Sequence, residues 1–261
     1  MIGNNPRGQM PCELNWRNAD AYSYPKKLGS AAFAWEFLRR NSAYQATYQS
    51  TVANPEMSER VAEQWELQFM VDPSLPWDRA CVIWLPHLNP TTVVVISAPD
   101  EFTEARSIGE LTPAFSRGTA NGEHWLLDQS DDRLPVALIA GANANRPAAV
   151  VIPLDDNFPM RAEATRCLFA AVAGSAPGRM PDALTVQQRR RLGLILRCLD
   201  GRLAGCSYRT IAEVLFGCAF DGADWKSHDQ RARTIRLCRR GINLMNGEYL
   251  NLVRYPRQFR G

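Results

Sequence analysis

Three arginines near the C-terminal end of this sequence carry chemistry that a packed core does not need. Arg233, Arg236 and Arg240 recur at helical spacing within KSHDQRARTIRLCRRGINLMNG. At about 100° per residue, Ile235, Cys238, Ile242 and Met245 share one arc, and the three arginines land on the opposite side. A guanidinium can hold a phosphate oxygen or pair bidentately with the major-groove edge of guanine. The stretch opens with Ser227 and Gln230, an S-x-x-Q spacing that predicts a capping box. A capped N-terminus aims backbone N–H groups and a positive dipole end outward, which is a further phosphate contact.

A helix that grips DNA needs a second helix to hold it. SYRTIAEVLFG (207–217) begins with a cap residue, Ser207, and ends with a stop, Gly217. Between them Ile211, Ala212 and Leu215 make an apolar stripe, with Ala212 small enough for close approach and Phe216 at the corner. In a helix-turn-helix the first helix crosses the DNA backbone and the second lies in the major groove. Arg209 and Thr210, near the start of the first helix, then suit phosphate contact. Nine residues, Cys218 to Lys226, separate the two helices, against three or four in a simple helix-turn-helix. That gap leaves open a different helix angle, a short extra turn, and which helix enters the groove.

Charge singles out the same region. Residues 1–180 hold 15 basic and 20 acidic side chains, a net of −5; residues 181–261 hold 15 and 7, a net of +8. Half of the basic residues therefore lie in the last third, the electrostatic footprint of a nucleic-acid partner. The competing reading is a solvated basic face on a structural bundle.

The elements that must position these residues divide into two regions. At 46% apolar and 22% charged, the 261 residues have the proportions of a globular protein. LGSAAFAWEFLRRNSAYQATYQS predicts a helix capped by Ser30, with Ala31, Ala34, Trp35 and Leu38 on one stripe and Phe33 and Phe37 on another. A helix apolar on two sides is wedged between other elements. Asn41 breaks it, Tyr44 and Tyr48 mark a second helix, and SERVAEQWELQFM (58–70) a third. ACVIWLP, TTVVVISAP, HWLLD, PVALIAG and AVVIPL are short, β-branched and bounded by turn residues, so residues 80–155 predict an antiparallel sheet or small barrel. A helix over 158–174 follows.

SAPGRMP (175–181) then breaks the pattern at the point where the charge changes sign. Beyond it TVQQRRRLGLILRCLDG carries a buried stripe of Leu192, Ile195, Leu196 and Leu199, just after Arg189, Arg190 and Arg191. The expected fold is α+β: an N-terminal helical and antiparallel-sheet domain over 1–174, a linker over 175–184, and an all-α helix-turn-helix-like domain over 185–261.

Other chemistries find no support. Seven cysteines at 12, 81, 167, 198, 206, 218 and 238 include no CxxC, which points to reduced, buried thiols. Cys206, Cys218, His228 and Cys238 lack the close pairing of zinc ligands. His87, His124 and His228 form no metal pair, and no GxSxG, P-loop, HExxH or GxGxxG occurs. Asp131 and Asp132 read as a solvated turn; Asp155 and Asp156 follow a strand but lack catalytic partners. No enzyme, metal or cofactor is expected. With no apolar leader and no apolar run near the roughly 20 residues of a membrane span, a cytoplasmic protein is expected.

The block LDGRLAGCSYRTIAEVLFG, followed by Trp225, a basic helix and GEYLNLVR, resembles the C-terminal DNA-binding domain of RovC/FseA-like proteobacterial transcriptional activators, many of them encoded on integrative and conjugative elements. WRNADAY with FAWEFLRRNSAY resembles the small module that precedes that domain. The two resemblances cover about the first 50 and last 75 residues. They imply an activator that binds double-stranded promoter DNA, meets RNA polymerase, and self-associates into higher oligomers such as hexamers. DNA contact is carried over to Arg189, Arg190, Arg209, Thr210, Lys226, His228, Gln230, Arg233, Arg236 and Arg240. Trp35, Glu36, Arg39 and Arg40, within AWEFLRRN, take a structural or interface role. The alternative is an antiactivator or assembly factor whose basic C-terminal face binds an acidic protein.

Overall fold

Short β-branched runs bounded by turn residues become one five-stranded sheet in the computed structural model, which describes residues 15–22, 24, 28–54, 58–129, 132–175, 181, 184–217, 219–221, 225 and 228–254. Strands β1 (Val93–Ser97), β2 (Phe115–Thr119), β3 (Gly122–Asp128), β4 (Arg133–Ile139) and β5 (Ala148–Val151) lie in the order β2-β3-β4-β1-β5. The sheet is mixed, which corrects the antiparallel expectation. β1 runs parallel to β4, with Val93 opposite Val136 and Val95 opposite Leu138, while the other neighbours are antiparallel. β1 reaches β4 only across the whole β2–β3 hairpin, and a connection that long allows parallel pairing.

Two boundaries also differ. ACVIWLP forms a single bridge, Trp84 with Leu67, in place of a strand. FSRGT (115–119) is a strand because it hairpins with β3, although its residues are largely exposed.

The helices are α1 (Ser30–Leu38), α2 (Ser42–Ala53), α3 (Ser58–Glu63), α4 (Phe158–Val172), α5 (Val186–Leu203), α6 (Tyr208–Phe216), α7 (Asp229–Asn243) and α8 (Leu250–Arg254), with a π-helical turn at Leu244–Glu248 before α8. Among the described residues no helix is long and apolar enough to cross a membrane. α3 stops at Glu63, well short of Met70, because Glu66 takes a left-handed φ of 59° and turns the chain. Gly29 occupies the cap position of α1 in place of Ser30, and makes no side-chain cap bond. α1 ends at Leu38 with Arg39 as its C-cap, and Asn41 caps α2, its Oδ1 accepting from the amides of Ala43 and Tyr44.

Two cores result. One lies between the sheet and α4, where Val93, Val95, Val136 and Leu138 meet Ala164, Cys167 and Leu168. The other joins distant parts of the chain: Trp16, Phe33, Trp35, Phe37 and Leu38 pack with Leu192, Ile195, Leu196, Leu199, Leu252 and Val253. α1 is buried from Ala32 to Leu38, as its two apolar stripes require. Trp35 meets the edge of Tyr44 at 5.7 Å, and its indole nitrogen donates to the Leu75 carbonyl at 3.1 Å.

A buried ion cluster ties α1 to α5. Arg40 donates through Nε and Nη2 to the two oxygens of Asp200 at 2.6 and 2.9 Å, and through Nη1 to Glu36 Oε2 at 2.8 Å. Arg39 also donates to Glu36 Oε2 at 2.8 Å, and the Trp77 amide reaches Glu36 Oε1 at 3.0 Å. The hydroxyls of Tyr22 and Tyr24 complete it, donating to Asp200 and Glu36 respectively. Thus Trp35, Glu36, Arg39 and Arg40 make their contacts inside the chain, between α1 and its neighbours. All four are almost wholly shielded from solvent.

A buried charge stripped of its partner is far more costly than the intact pair is favourable. Asp200→Asn should therefore lower unfolding free energy by about 3–5 kcal/mol in urea titration, and a loss below about 1 kcal/mol would contradict this role. Burial pushes the Glu36 carboxyl up, but Arg40 and Arg39 outweigh it and hold the group below its ordinary value. With its folded pKa lowered, Glu36 contributes fully above the unfolded value of about 4.3, and that contribution is lost as pH falls through the folded value. The urea midpoint should drop on acidification below about pH 4.3, and should drop less in Glu36→Gln; parallel profiles would refute the assignment.

Candidate nucleic-acid interface

Local chemistry starts and stops the helices that carry the arginines. At the head of α5, Thr185 Oγ1 accepts from the Gln188 amide and Gln188 Oε1 accepts from the Thr185 amide, a reciprocal capping box. At α6, Ser207 Oγ accepts from the Thr210 amide at 3.1 Å, and Gly217 ends the helix at φ 68°. α7 is capped by His228, whose Nδ1 accepts from the Gln230 amide at 3.1 Å. The box expected from Ser227 to Gln230 is thereby replaced by His228; Ser227 and Lys226 lie outside the described residues. Asp229 sits in the first turn of α7 and offsets its dipole end, so this N-terminus is a poorer phosphate site than the sequence suggested.

The long connection after α6 holds an aromatic plug. Phe220 is buried, with its ring 5.2 Å from Trp225 and 4.9 Å from His228. The Trp225 amide donates to the Asp221 carbonyl, a helical i to i−4 bond. Among the described residues of this connection, Phe220 and Trp225 fill a hydrophobic corner, a task that a minimal turn has no residues for.

α7 packs most closely on α5. A Cβ added at Gly241 would stand 3.0 Å from Leu199 Cβ and 3.2 Å from the Ile195 carbonyl oxygen. This approach rotates the buried stripe to Thr234, Leu237, Cys238 and Gly241, leaving the expected Ile235, Ile242 and Met245 half-buried at its edge. Thr234 enters the core because its hydroxyl is satisfied by the Gln230 carbonyl at 2.7 Å. Cys238 and Cys198 pack as buried thiols in the same seam, where the hydrogen bond between them, donated by Cys198, and then burial push the Cys198 thiol well up.

Between α5 and α7 runs a groove of about 460 Å³, lined by Arg190 and Arg191 on one side and Arg233, Arg236 and Arg240 on the other. Leu194, Ile195 and Leu237 contribute its apolar lining. Arg190, Arg191, Arg233 and Arg236 are exposed, and Arg240 is half-buried in an ion pair with Glu248. Arg233 lies 4.7 Å over the Phe216 ring, which steadies it from α6. The groove thus presents a row of planar donors suited to phosphate or guanine.

The sequence-predicted residues divide sharply. Arg190, Arg233, Arg236 and Arg240 converge on the groove. Arg189 does not: it is buried, and its Nε donates to the Leu28 carbonyl at 3.1 Å, anchoring α5 to the segment before α1. Arg209 pairs with Glu213 at 2.9 Å within α6, and Thr210 Oγ1 lies 2.9 Å from Ser207 Oγ; neither lines the groove. His228 and Gln230 belong to the cap of α7. Arg191 is the groove residue left out of the predicted set. Its signal was its place in RRR, but three successive arginines face three directions, and only the position of α7 tells which two matter.

Residues 151–254 match the family described as the T6SS transcription factor DNA-binding domain of RovC, and residues 15–70 match the proteobacterial transcriptional regulator-like domain. The two matches make the chain similar to RovC-like proteobacterial regulators and indicate a DNA-binding transcriptional regulator. No curated protein and no solved structure matches it. The first match takes in every residue of the arginine groove, and α4 as well.

The close approach at Gly241 predicts that Gly241→Leu costs about 1–3 kcal/mol by overpacking, since both neighbouring atoms are fixed to the α5 backbone. Thermal unfolding reads this loss, and an unchanged midpoint would show that the seam has room.

Proposed function

We propose that this chain is a sequence-specific DNA-binding regulator, an activator that works as an oligomer on double-stranded promoter DNA in the cytoplasm. The observation that carries the reading is the five-arginine groove between α5 and α7, inside the segment that matches a DNA-binding domain. α7 is the helix for the major groove, with Arg233 and Arg236 toward bases or phosphates. Arg190 and Arg191 on α5 reach the flanking backbone. α6 is the supporting helix, holding Arg233 by the Phe216 ring. An activator of this kind also meets RNA polymerase. A regulator rather than an enzyme is the reading that the matched domains favour.

Arginine is suited to this task because its fork holds phosphate oxygens bidentately and stays charged at any physiological pH. Binding releases counterions, so affinity depends steeply on salt. Replacing Arg233, Arg236 and Arg240 together by Glu should abolish the shift of promoter DNA while the protein stays folded. Arg190→Ala and Arg191→Ala should each weaken binding across sequences and lower the salt slope by about one. Normal DNA binding by the triple variant would overturn the assignment of α7. Wild-type protein that ignores duplex DNA but holds an acidic protein through the same arginines would replace this function with the antiactivator reading.

A further inference from the structure

Among the described residues, Arg240 is the groove arginine that an acid holds: its Nη1 donates to Glu248 Oε2. Helical spacing does not produce this pair. Ion pairs along one helix form at three or four residues. In an unbroken helix a residue eight positions on stands about 12 Å farther along the axis. Here the chain leaves the helix first. Inside the π-helical turn Leu244–Glu248, Asn246 (φ −92°, ψ 18°) and Gly247 (φ 132°, ψ −25°) take non-helical angles. The φ of Gly247 is one that a side chain would strain.

The turn is fastened on both sides of the break. Asn41, at the end of α1, donates through Nδ2 to the Met245 carbonyl at 3.0 Å. The Tyr249 amide donates to the Leu244 carbonyl at 3.0 Å, and the buried Tyr249 ring lies 5.8 Å from Trp84. A held backbone therefore delivers the Glu248 carboxylate to Arg240. π-turns of this kind are frequent at functional sites.

A carboxylate and a phosphate compete for the same guanidinium. The Arg240 and Glu248 side chains are 31% and 38% exposed, so solvent weakens their pair and lets it open. On DNA, opening loses the pair and also leaves an anion beside an anionic backbone. One phosphate contact does little more than offset this. A bidentate contact with a guanine edge offers more.

We propose that Glu248 is a specificity-determining residue, an internal competitor that withholds Arg240 from duplex of arbitrary sequence and yields it where a base edge makes the stronger contact. The inference rests on the DNA-binding reading above and divides its groove. Arg190, Arg191, Arg233 and Arg236 serve any phosphate backbone, whereas Arg240 is conditional. Discrimination then comes from a repulsive element as well as attractive ones.

The test uses the full chain and a duplex of random sequence, with binding followed by fluorescence anisotropy across a range of salt. Glu248→Gln keeps the side-chain shape and removes the charge. It should bind this duplex at least about threefold tighter. Its salt slope should steepen by about one, because Arg240 now displaces a counterion of its own. Adding Arg240→Ala to Glu248→Gln should return the slope to the wild-type value. A role for Glu248 in the turn alone would change stability without adding a phosphate contact. Duplexes that wild type selects from a random pool should be less strongly preferred by Glu248→Gln. Wild type that binds duplex while Glu248→Gln gains neither affinity nor slope would overturn this inference alone, as would an undiminished preference or a steeper slope that survives Arg240→Ala. Wild type and Glu248→Gln that both ignore duplex at low salt would overturn it together with the DNA reading.

Discussion

The Arg40 guanidinium, clamped between Asp200 and Glu36, is the constraint on which the rest of the structure depends. It joins residues 160 positions apart in the sequence through four hydrogen bonds, counting the bond to the Glu36 carbonyl. Arg39 is linked to the same cluster through Glu36. Taking these charges out of water is expensive, and the cost is recovered only where nearly every donor and acceptor is met. The tyrosine hydroxyls, the Trp77 amide and the Pro73 carbonyl supply those remaining partners. An arrangement with so many simultaneous demands has one geometry. It fixes α5 relative to α1, and with α5 the position of Arg190 and Arg191.

From α5 the constraint passes to α7 through Gly241. A helix pair that meets backbone to side-chain base cannot slide without collision, so the two banks of the groove keep a set separation. Arg189 reinforces the outer side by holding the segment before α1, and Arg197 does so further along, donating to the carbonyls of Trp16 and Arg17 at 2.6 and 2.7 Å. The basic residues of α5 thus split into two kinds. Some spend their donors on backbone carbonyls and become structural. The others, one residue on, face the groove.

How much of this could be read beforehand follows from the range of the interactions involved. Ser207 and Gly217 bounded α6 correctly because capping and left-handed termination are decided within a few residues. The double apolar stripe of α1 announced its burial for the same reason. AWEFLRRN is legible as a motif, yet its partner Asp200 lies in a different helix, and no local pattern pairs them. The stripe of α7 was misplaced by about one residue, since periodicity counts Thr234 and Gly241 as poor core residues. Their burial depends on a satisfied hydroxyl and on the proximity of Leu199. The parallel β1–β4 pair failed similarly: adjacency across an intervening hairpin leaves no trace in either strand.

Electrostatics explains why such a groove is made rather than tolerated. Five guanidiniums along one channel repel one another, and among the described residues no ion pair neutralises Arg190, Arg191 or Arg236. Solvent screens this repulsion only because the arginines are exposed. Apart from Arg240, which pairs with Glu248, the fold holds them there with uncharged means: a phenylalanine ring under Arg233, an apolar floor of Leu194 and Leu237, and helix seams set by glycine and threonine. Had acidic neighbours held them, each would compete with a phosphate for the same donors. Leaving Arg190, Arg191 and Arg236 without acidic partners among the described residues costs some stability in the free protein, and in the proposed function an anionic backbone would relieve that cost. On that proposed function, binding strength is built into the fold as unspent charge, and the buried cluster around Arg40 supplies the rigidity that keeps this charge in place.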